Sequence, residues 1–284
     1  MGEKTGHLER TAREPREKEV LDVTLFKVQQ INDRVRLLRL SLSTPIRVQA
    51  GQWLDTFVPA TSGAGGFTIT SPPSAASSAL GPYFELAVQK SPGNPHAAWL
   101  WRPIEEIVSQ GLQVRVGGSF VYPPQEGHLR AAKRVVLVAG GVGVNPLVSM
   151  MGEIADTAAD VEVKVLYGSK LSGGALRDVL FLERMAQMFR DGGLKGSMNV
   201  FLSDDTGSGV HSEVPDWLQG IPIQLHTGRM TVEQVKTAIN AGNSNDTLAY
   251  ICGPPTMTDE IAAAIGQEGS GVIAAERVMT EKWW

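Results

Sequence analysis

The chain is poor in cysteine: Cys252 is the only one in 284 residues. One thiol closes no internal disulfide and builds no cysteine-rich zinc or iron–sulfur centre. The five histidines, His7, His96, His128, His211 and His226, lack metal-ligand spacing, so no metal site is expected. No uninterrupted apolar run reaches the roughly 18 residues that a membrane-spanning helix needs. Neither charge sign dominates: 26 basic and 30 acidic side chains leave a net −4, with no basic footprint for nucleic acid. A single unpaired cysteine is compatible with a reducing compartment.

Residues 1–18 carry both charge signs, as in Glu9-Arg10 and Arg16-Glu17-Lys18. The stretch lacks the apolar core of a signal peptide and contains the acids that a mitochondrial transit peptide avoids. It is expected to be a solvated, charged leader.

The rest of the chain has two textures, and its length suits about two domains. From Val20 to about Tyr122, short alternating runs such as Val35-Arg36-Leu37-Leu38-Arg39-Leu40 and Tyr83-Phe84-Glu85-Leu86-Ala87-Val88 lie between Gly, Pro and Ser clusters. Period-two runs between turn residues predict an antiparallel sheet or small barrel. A helix is expected from about His96 to Trp101, continuing toward Val108. From about Lys133, strands alternate with helices, which predicts a mostly parallel α/β sheet. Strands are expected at 134–139, 162–167, 199–202 and 248–252, and helices at 146–157, 176–190, 231–240 and 258–265. The junction is placed between Tyr122 and Lys133, where Pro123-Pro124 and Gly127 interrupt regular structure. The expected domains are therefore 19–125 and 132–284, after the 1–18 leader.

Two segments carry chemistry. The first α/β strand runs into Gly140-Gly141-Val142-Gly143-Val144-Asn145-Pro146. Glycines permit positive φ and close approach of a ligand to the backbone. A helix beginning here would point free N–H groups at an anion such as a pyrophosphate. Taken alone, the same residues also fit a plain tight turn. The second segment is Cys252-Gly253-Pro254-Pro255, at the carboxyl end of the last expected strand. Ligands of open α/β sheets bind outside such strand ends, so both loops can face one site. A lone strand-end cysteine also reads as a small buried apolar residue.

In this order, the two segments resemble the ferredoxin–NADP reductase superfamily, whose members place a flavin-binding barrel before an NAD(P)-binding domain. Phe67-Thr68-Ile69-Thr70-Ser71-Pro72 resembles the flavin strand, and Val116-Gly117-Gly118-Ser119-Phe120 resembles the barrel's closing segment. Leu166-Tyr167-Gly168 and Thr227-Gly228-Arg229 resemble segments of the nucleotide domain. The chain is also similar to an animal mitochondrial family of oxidoreductase NAD-binding domain-containing proteins. The shared features are the Gly-Gly-Phe strand, the Gly-Gly-Val-Gly loop, the Cys-Gly-Pro-Pro turn and the Glu281-Lys282-Trp283-Trp284 ending.

The resemblance implies an NADH-dependent flavoprotein oxidoreductase with NAD and FAD as cofactors. Electrons would pass from nicotinamide to flavin and on to an acceptor that the sequence does not name. Residues Gly140, Gly141, Val142, Gly143, Val144 and Asn145 would cradle the NAD pyrophosphate. Cys252, with Gly253 and Pro254, would lie against the nicotinamide, as thiolate or as neutral thiol. Phe67 and Thr68 would meet the flavin ring, Thr68 through its hydroxyl. Glu281 would be the nearby acid, and Trp284 would stack on the flavin or latch the tail to the barrel. Asp204 and Asp205 follow a strand where NADP-binding members carry Ser-Arg. A carboxylate there repels a 2′-phosphate and favours NAD, or else forms a solvated turn. The family also implies a mitochondrial setting, although no transit peptide is visible; the alternative is cytoplasmic.

Two departures bear on flavin. The superfamily's strand reads Arg, a spacer, Tyr and Ser/Thr, where this chain has Gly65-Gly66-Phe67-Thr68. Its Gly-x-x-Ser phosphate segment reads Gly93-Asn94-Pro95-His96 here, with His96 in place of the serine as either a substitute or a cap. Losing a charge-assisted contact to phosphate should weaken flavin binding. The alternative function is therefore an NAD-binding regulatory protein with a degenerate flavin site.

Overall fold

The computed structural model describes residues 6–171, 175–203, 214–266 and 272–283. The chain divides into two units between Tyr122 and Pro123.

The first unit has six strands: β1 (Leu21–Gln30), β2 (Val35–Leu42), β3 (Trp53–Phe57), β4 (Gly65–Thr68), β5 (Tyr83–Gln89) and β6 (Gly111–Gly117). Their order is β4-β3-β6-β1-β2-β5, antiparallel throughout. A bridge between Ile69 and Leu86 joins the two edges and closes the barrel. Alternation supplies the core: Leu25, Leu38, Leu40, Leu54, Phe84, Leu86 and Val114 are fully buried. In β1 the alternation breaks between Leu25 and Lys27, where the register shifts and Phe26 is left exposed. Four short helices accompany the barrel: α1 (His7–Arg10), α2 (Pro73–Ser77), α3 (Pro95–Leu100) and α4 (Ile104–Ile107). Asn94 caps α3 through its Oδ1, which accepts from the N–H groups of His96 at 3.0 Å and Ala97 at 3.2 Å.

Over residues 7–17 the leader is only partly solvated: Glu9, Arg10, Arg13 and Glu17 are exposed as expected, while His7, Thr11, Glu14 and Arg16 are half-buried and tied to the barrel. The Glu17 N–H donates to the Val116 carbonyl at 2.9 Å, and Gly118 N–H donates to Pro15 at 3.0 Å. Asp55, on β3 and fully buried, takes His7 Nε2 at 3.0 Å, Arg16 Nε at 2.9 Å and Arg115 Nη2 at 2.6 Å. The Arg16 guanidinium also lies 4.9 Å over the Trp53 ring. A buried carboxylate is costly unless paired and hydrogen-bonded, and the leader supplies two of its three cationic or imidazole partners.

The second unit alternates strand and helix. It comprises β7 (Arg134–Gly140), α5 (Val144–Asp156), β8 (Glu162–Lys170), α6 (Leu182–Arg190), β9 (Lys195–Ser203), β10 (Ile223–Thr227), α7 (Val232–Asn240), β11 (Thr247–Gly253), α8 (Pro255–Gly266) and β12 (Val278–Lys282). The sheet order is β10-β9-β8-β7-β11-β12, all parallel. One face of the sheet packs against α7 and α8 through Val136, Val138, Phe201, Ile239, Ile251 and Ile261. Several details differ from the sequence reading, and β9 and α8 both begin earlier than expected, at Lys195 and Pro255. Helix α5 begins two residues earlier, at Val144, so Pro146 lies inside its first turn, where its missing N–H still costs no helical bond. The 176–190 helix is cut to 182–190, because Phe181 adopts φ +61°, a left-handed conformation that no α-helix continues through. Strands β10 and β12 were not expected. No helix among the described residues is long and apolar enough to cross a membrane. No group of three or more His, Cys, Asp or Glu side chains suited to a metal occurs among the described residues.

Candidate functional site

The strand order reverses between β7 and β11: from β7 the chain proceeds to β8, β9 and β10 on one side, and β11 and β12 lie on the other. Such a switch point opens a crevice at the carboxyl ends of the strands. Both glycine-rich segments sit there. A side chain at Gly143 would overlap the Cys252 carbonyl, and one at Gly140 would come within 2.7 Å of Met257 Sδ and 2.9 Å of Pro254. Only glycine lets the loop after β7 rest directly on the end of β11. Gly141 differs from both: its φ is +55°, and nothing lies within 4 Å of where its Cβ would be. It turns the chain while leaving open space.

Helix α5 starts immediately after this turn, with no side-chain cap and no acid in its first turn; α8 likewise has no acid there. Two helix N-termini at adjacent strand ends, neither carrying an acid of its own, suit an anionic ligand. Val144 is the first residue of α5. Its side chain is fully buried and its N–H is directed to the carbonyls of Gly141 and Val142, so it locks the turn. Asn145 is buried at the start of α5, and Pro254 is exposed at the edge.

Cys252 is fully buried on β11, in register with Ala139 on one side and Glu281 on the other. Burial pushes its thiol well up, the Glu281 carboxylate pushes it further, and a hydrogen bond with Trp283 opposes them. The group is therefore a neutral thiol, which decides between the two forms left open by the sequence. Strand β12 makes this pairing, with Trp283 N–H donating to the Gly253 carbonyl at 3.1 Å. The Glu281–Cys252 adjacency was missed in sequence reading because β12 has weak alternation. Its one signal was the apolar Val278-Met279 pair ahead of the acid.

In the barrel unit, β4 carries the other candidates. Thr68 is 1 % exposed, and its Oγ1 has no hydrogen-bond partner among the described residues. His96 on α3 is 7 % exposed, with Nε2 in the same condition. A Cβ at Gly65 would lie 2.6 Å from His96 Cβ and 2.8 Å from Phe67 Cε2, so His96 occupies the room a side chain at 65 would use. Phe67 itself packs in the barrel's apolar core rather than standing free. Buried polar atoms are almost always satisfied, so these two are candidates for contact with a ligand or with water. Asp204, Asp205 and Trp284 lie outside the described residues.

No family model matches the chain. The Neisseria gonorrhoeae ferredoxin NADP+ reductase with bound FAD and NADP superposes with a TM-score of 0.66 at 13 % identity, covering 94 % of this chain and 100 % of that one. The fold is ferredoxin reductase-like: an antiparallel barrel followed by a parallel α/β sheet. Over 292 residues the chain is 30 % identical to oxidoreductase NAD-binding domain-containing protein 1 of Pongo abelii, covering 99 % of this chain and 85 % of the relative. The Danio rerio protein of that name is 30 % identical over 290 residues, covering 99 % and 98 %. The chain belongs to the oxidoreductase NAD-binding domain-containing protein 1 family.

Proposed function

We propose that this protein is an NADH-dependent flavoprotein oxidoreductase. The glycine turn seated between β7 and β11, beside two helix N-termini without acids, carries the reading. The Gly140–Gly143 turn and the start of α5 bind the dinucleotide pyrophosphate through backbone N–H groups. The Cys252 thiol, neutral and packed, gives the nicotinamide an uncharged neighbour, and Glu281 is the acid next to it. A flavin, when bound, supplies the hydride-accepting chemistry, and the protein orients and shields it. Its fit to the barrel rests on the buried Thr68 hydroxyl and His96 Nε2, neither of which has a hydrogen-bond partner among the described residues. Thr68 donates to or accepts from a polar edge of the ring. The acid pair at Asp204-Asp205 favours NAD over NADP by repelling a 2′-phosphate. With one cysteine, the chain builds no iron–sulfur relay, so the electrons leave to a separate acceptor.

Absorbance from 350 to 500 nm, recorded before and after addition of FAD and then of NADH without oxygen, tests this. A flavin spectrum bleached by NADH is the expected result. A protein that takes up no flavin from excess is instead the second reading, an NAD-binding regulator, which glycine at position 65 favours. Asp204→Arg should move the affinity ratio toward NADPH; an unchanged ratio defeats the specificity assignment.

A further inference from the structure

The parallel pairing of β7 with β11 ends at Ala139 and Cys252. One residue further, Gly140 pairs with Gly168 of β8 and Gly253 with Lys282 of β12, each toward its outer neighbour, and no register pair joins the two glycines. The side chain of Met257, the third residue of α8, fills the seam that opens there. A Cβ at Gly140 would come within 2.7 Å of its Sδ and 2.9 Å of its Cε, and a Cβ at Gly253 within 2.5 Å of the same Cε. One half-buried thioether therefore lies against both glycines, and it also packs on the apolar core under α8.

The two turns are held differently. The Gly253 carbonyl accepts the Thr258 hydroxyl at 3.4 Å and the Trp283 N–H at 3.1 Å, and the Pro254 carbonyl accepts the Thr258 N–H at 3.0 Å. Thr258 is fully buried, so the Cys252-Gly253-Pro254 turn is fastened to α8 and β12. The glycine turn meets that fixed base through Gly140 and Gly143, while Gly141 turns over open space. Where pairing no longer sets a separation, packing does. A methionine tail suits the task, since it is long, unbranched and able to fill an irregular gap.

We infer that Met257 is a positioning residue: its thioether sets the distance between the turn assigned to the pyrophosphate and the turn assigned to the nicotinamide, so that one dinucleotide engages both. The inference rests on the dinucleotide reading above. Calorimetry with NADH and with ADP-ribose, which keeps the pyrophosphate and lacks the nicotinamide, tests it. The wild-type protein should bind NADH more tightly than ADP-ribose. Met257→Ala empties the seam and should weaken NADH about tenfold and ADP-ribose less than about twofold, because only the nicotinamide half loses its register. Met257→Leu keeps carbon at the δ position and loses the ε methyl, so its NADH affinity should fall between the two. If Met257→Ala does not fold, the wild-type preference and the Met257→Leu result still decide. Equal wild-type affinity for NADH and ADP-ribose overturns the inference. So does a loss shared equally by both ligands in a folded variant, which a general loosening of α8 would give, or no loss of NADH affinity in a folded Met257→Ala protein. A wild-type protein that binds neither ligand overturns the dinucleotide reading itself and this inference with it, a result distinct from the others.

Discussion

The two faces of β4 solve the same steric problem and end in opposite electrostatic states. Gly65 and Gly66 are adjacent, and each is covered by a histidine: His96 on one, His7 on the other. His7 is fully committed. Its Nε2 meets the buried Asp55, its ring stands edge-on to Trp53 at 4.8 Å, and Arg16 and Arg115 complete the carboxylate's shell. His96 is also buried, but its Nε2 has no hydrogen-bond partner among the described residues. One face is a closed polar knot that fastens the chain's beginning to the barrel. The other keeps an unspent donor. Burial by itself does not separate a structural histidine from a ligand-binding one; the hydrogen-bond inventory does.

Cutting the knot should have the largest effect. Asp55→Ala leaves two guanidinium groups and an imidazole around an uncompensated site and should destabilise the protein by about 3–5 kcal/mol, read from urea midpoints. Acid should cut the same knot. Burial raises the Asp55 pKa, but hydrogen bonds from His7, Arg115 and Arg16 outweigh it and bring the pKa from 3.8 to about 2. A carboxyl depressed on folding stabilises the fold above its unfolded value. That contribution should therefore be intact above about pH 4 and lost as pH falls from about 4 to about 2. A wild-type protein whose stability does not fall over that interval more than that of Asp55→Ala would contradict the role given to the knot.

The two glycines come next. Alanine at either position overpacks a filled site, at about 1–3 kcal/mol each. Their consequences should diverge. Gly66→Ala pushes the His7 ring off Asp55 and should leave flavin affinity unchanged. Gly65→Ala meets His96 Cβ, shifts α3 and should weaken FAD binding as well as stability. Parallel thermal melts and flavin titrations check this; identical flavin affinities in the two variants would erase the distinction between the faces. The smallest effect should come from His7→Gln, which keeps a donor for Asp55 and removes the ring contact with Trp53. A loss of about 1 kcal/mol or less is expected in urea titration, with flavin binding untouched.

Much of the fold was legible because its signals are local. Alternation in Val35–Leu40 and Tyr83–Val88 marked β2 and β5. The continuous apolar run from Val135 to Ala139 marked a strand buried on both faces. Strand β3 escaped because Trp53-Leu54-Asp55-Thr56 reads as mixed; its outward residues are covered by the leader, so polar and apolar side chains alike are buried. The break in the 176–190 helix was invisible because a left-handed Phe181 leaves no compositional mark. In the site, the glycine turn was found from glycine spacing, while the part of each glycine was not. Gly140 and Gly143 are glycine because another loop rests on them, and Gly141 because the backbone must turn.

The sequence by itself determined the succession of an antiparallel barrel and a parallel α/β sheet, since side-chain periodicity and turn residues act over a few neighbours. It also determined that a glycine turn and the one cysteine stand at strand ends. Only the tertiary structure decided which charges and donors meet. His7 and Asp55 are 48 residues apart and meet because α1 packs on the barrel, whereas Arg115 and Asp55, 60 apart, are brought together by β3–β6 pairing. Cys252 stands beside Glu281 through parallel register, which with burial keeps the thiol neutral. His96 stands over Gly65 because α3 packs there, and its Nε2 has no hydrogen-bond partner among the described residues. Satisfaction of a polar group depends on everything within hydrogen-bond range in space, and that neighbourhood exists only once the chain has folded.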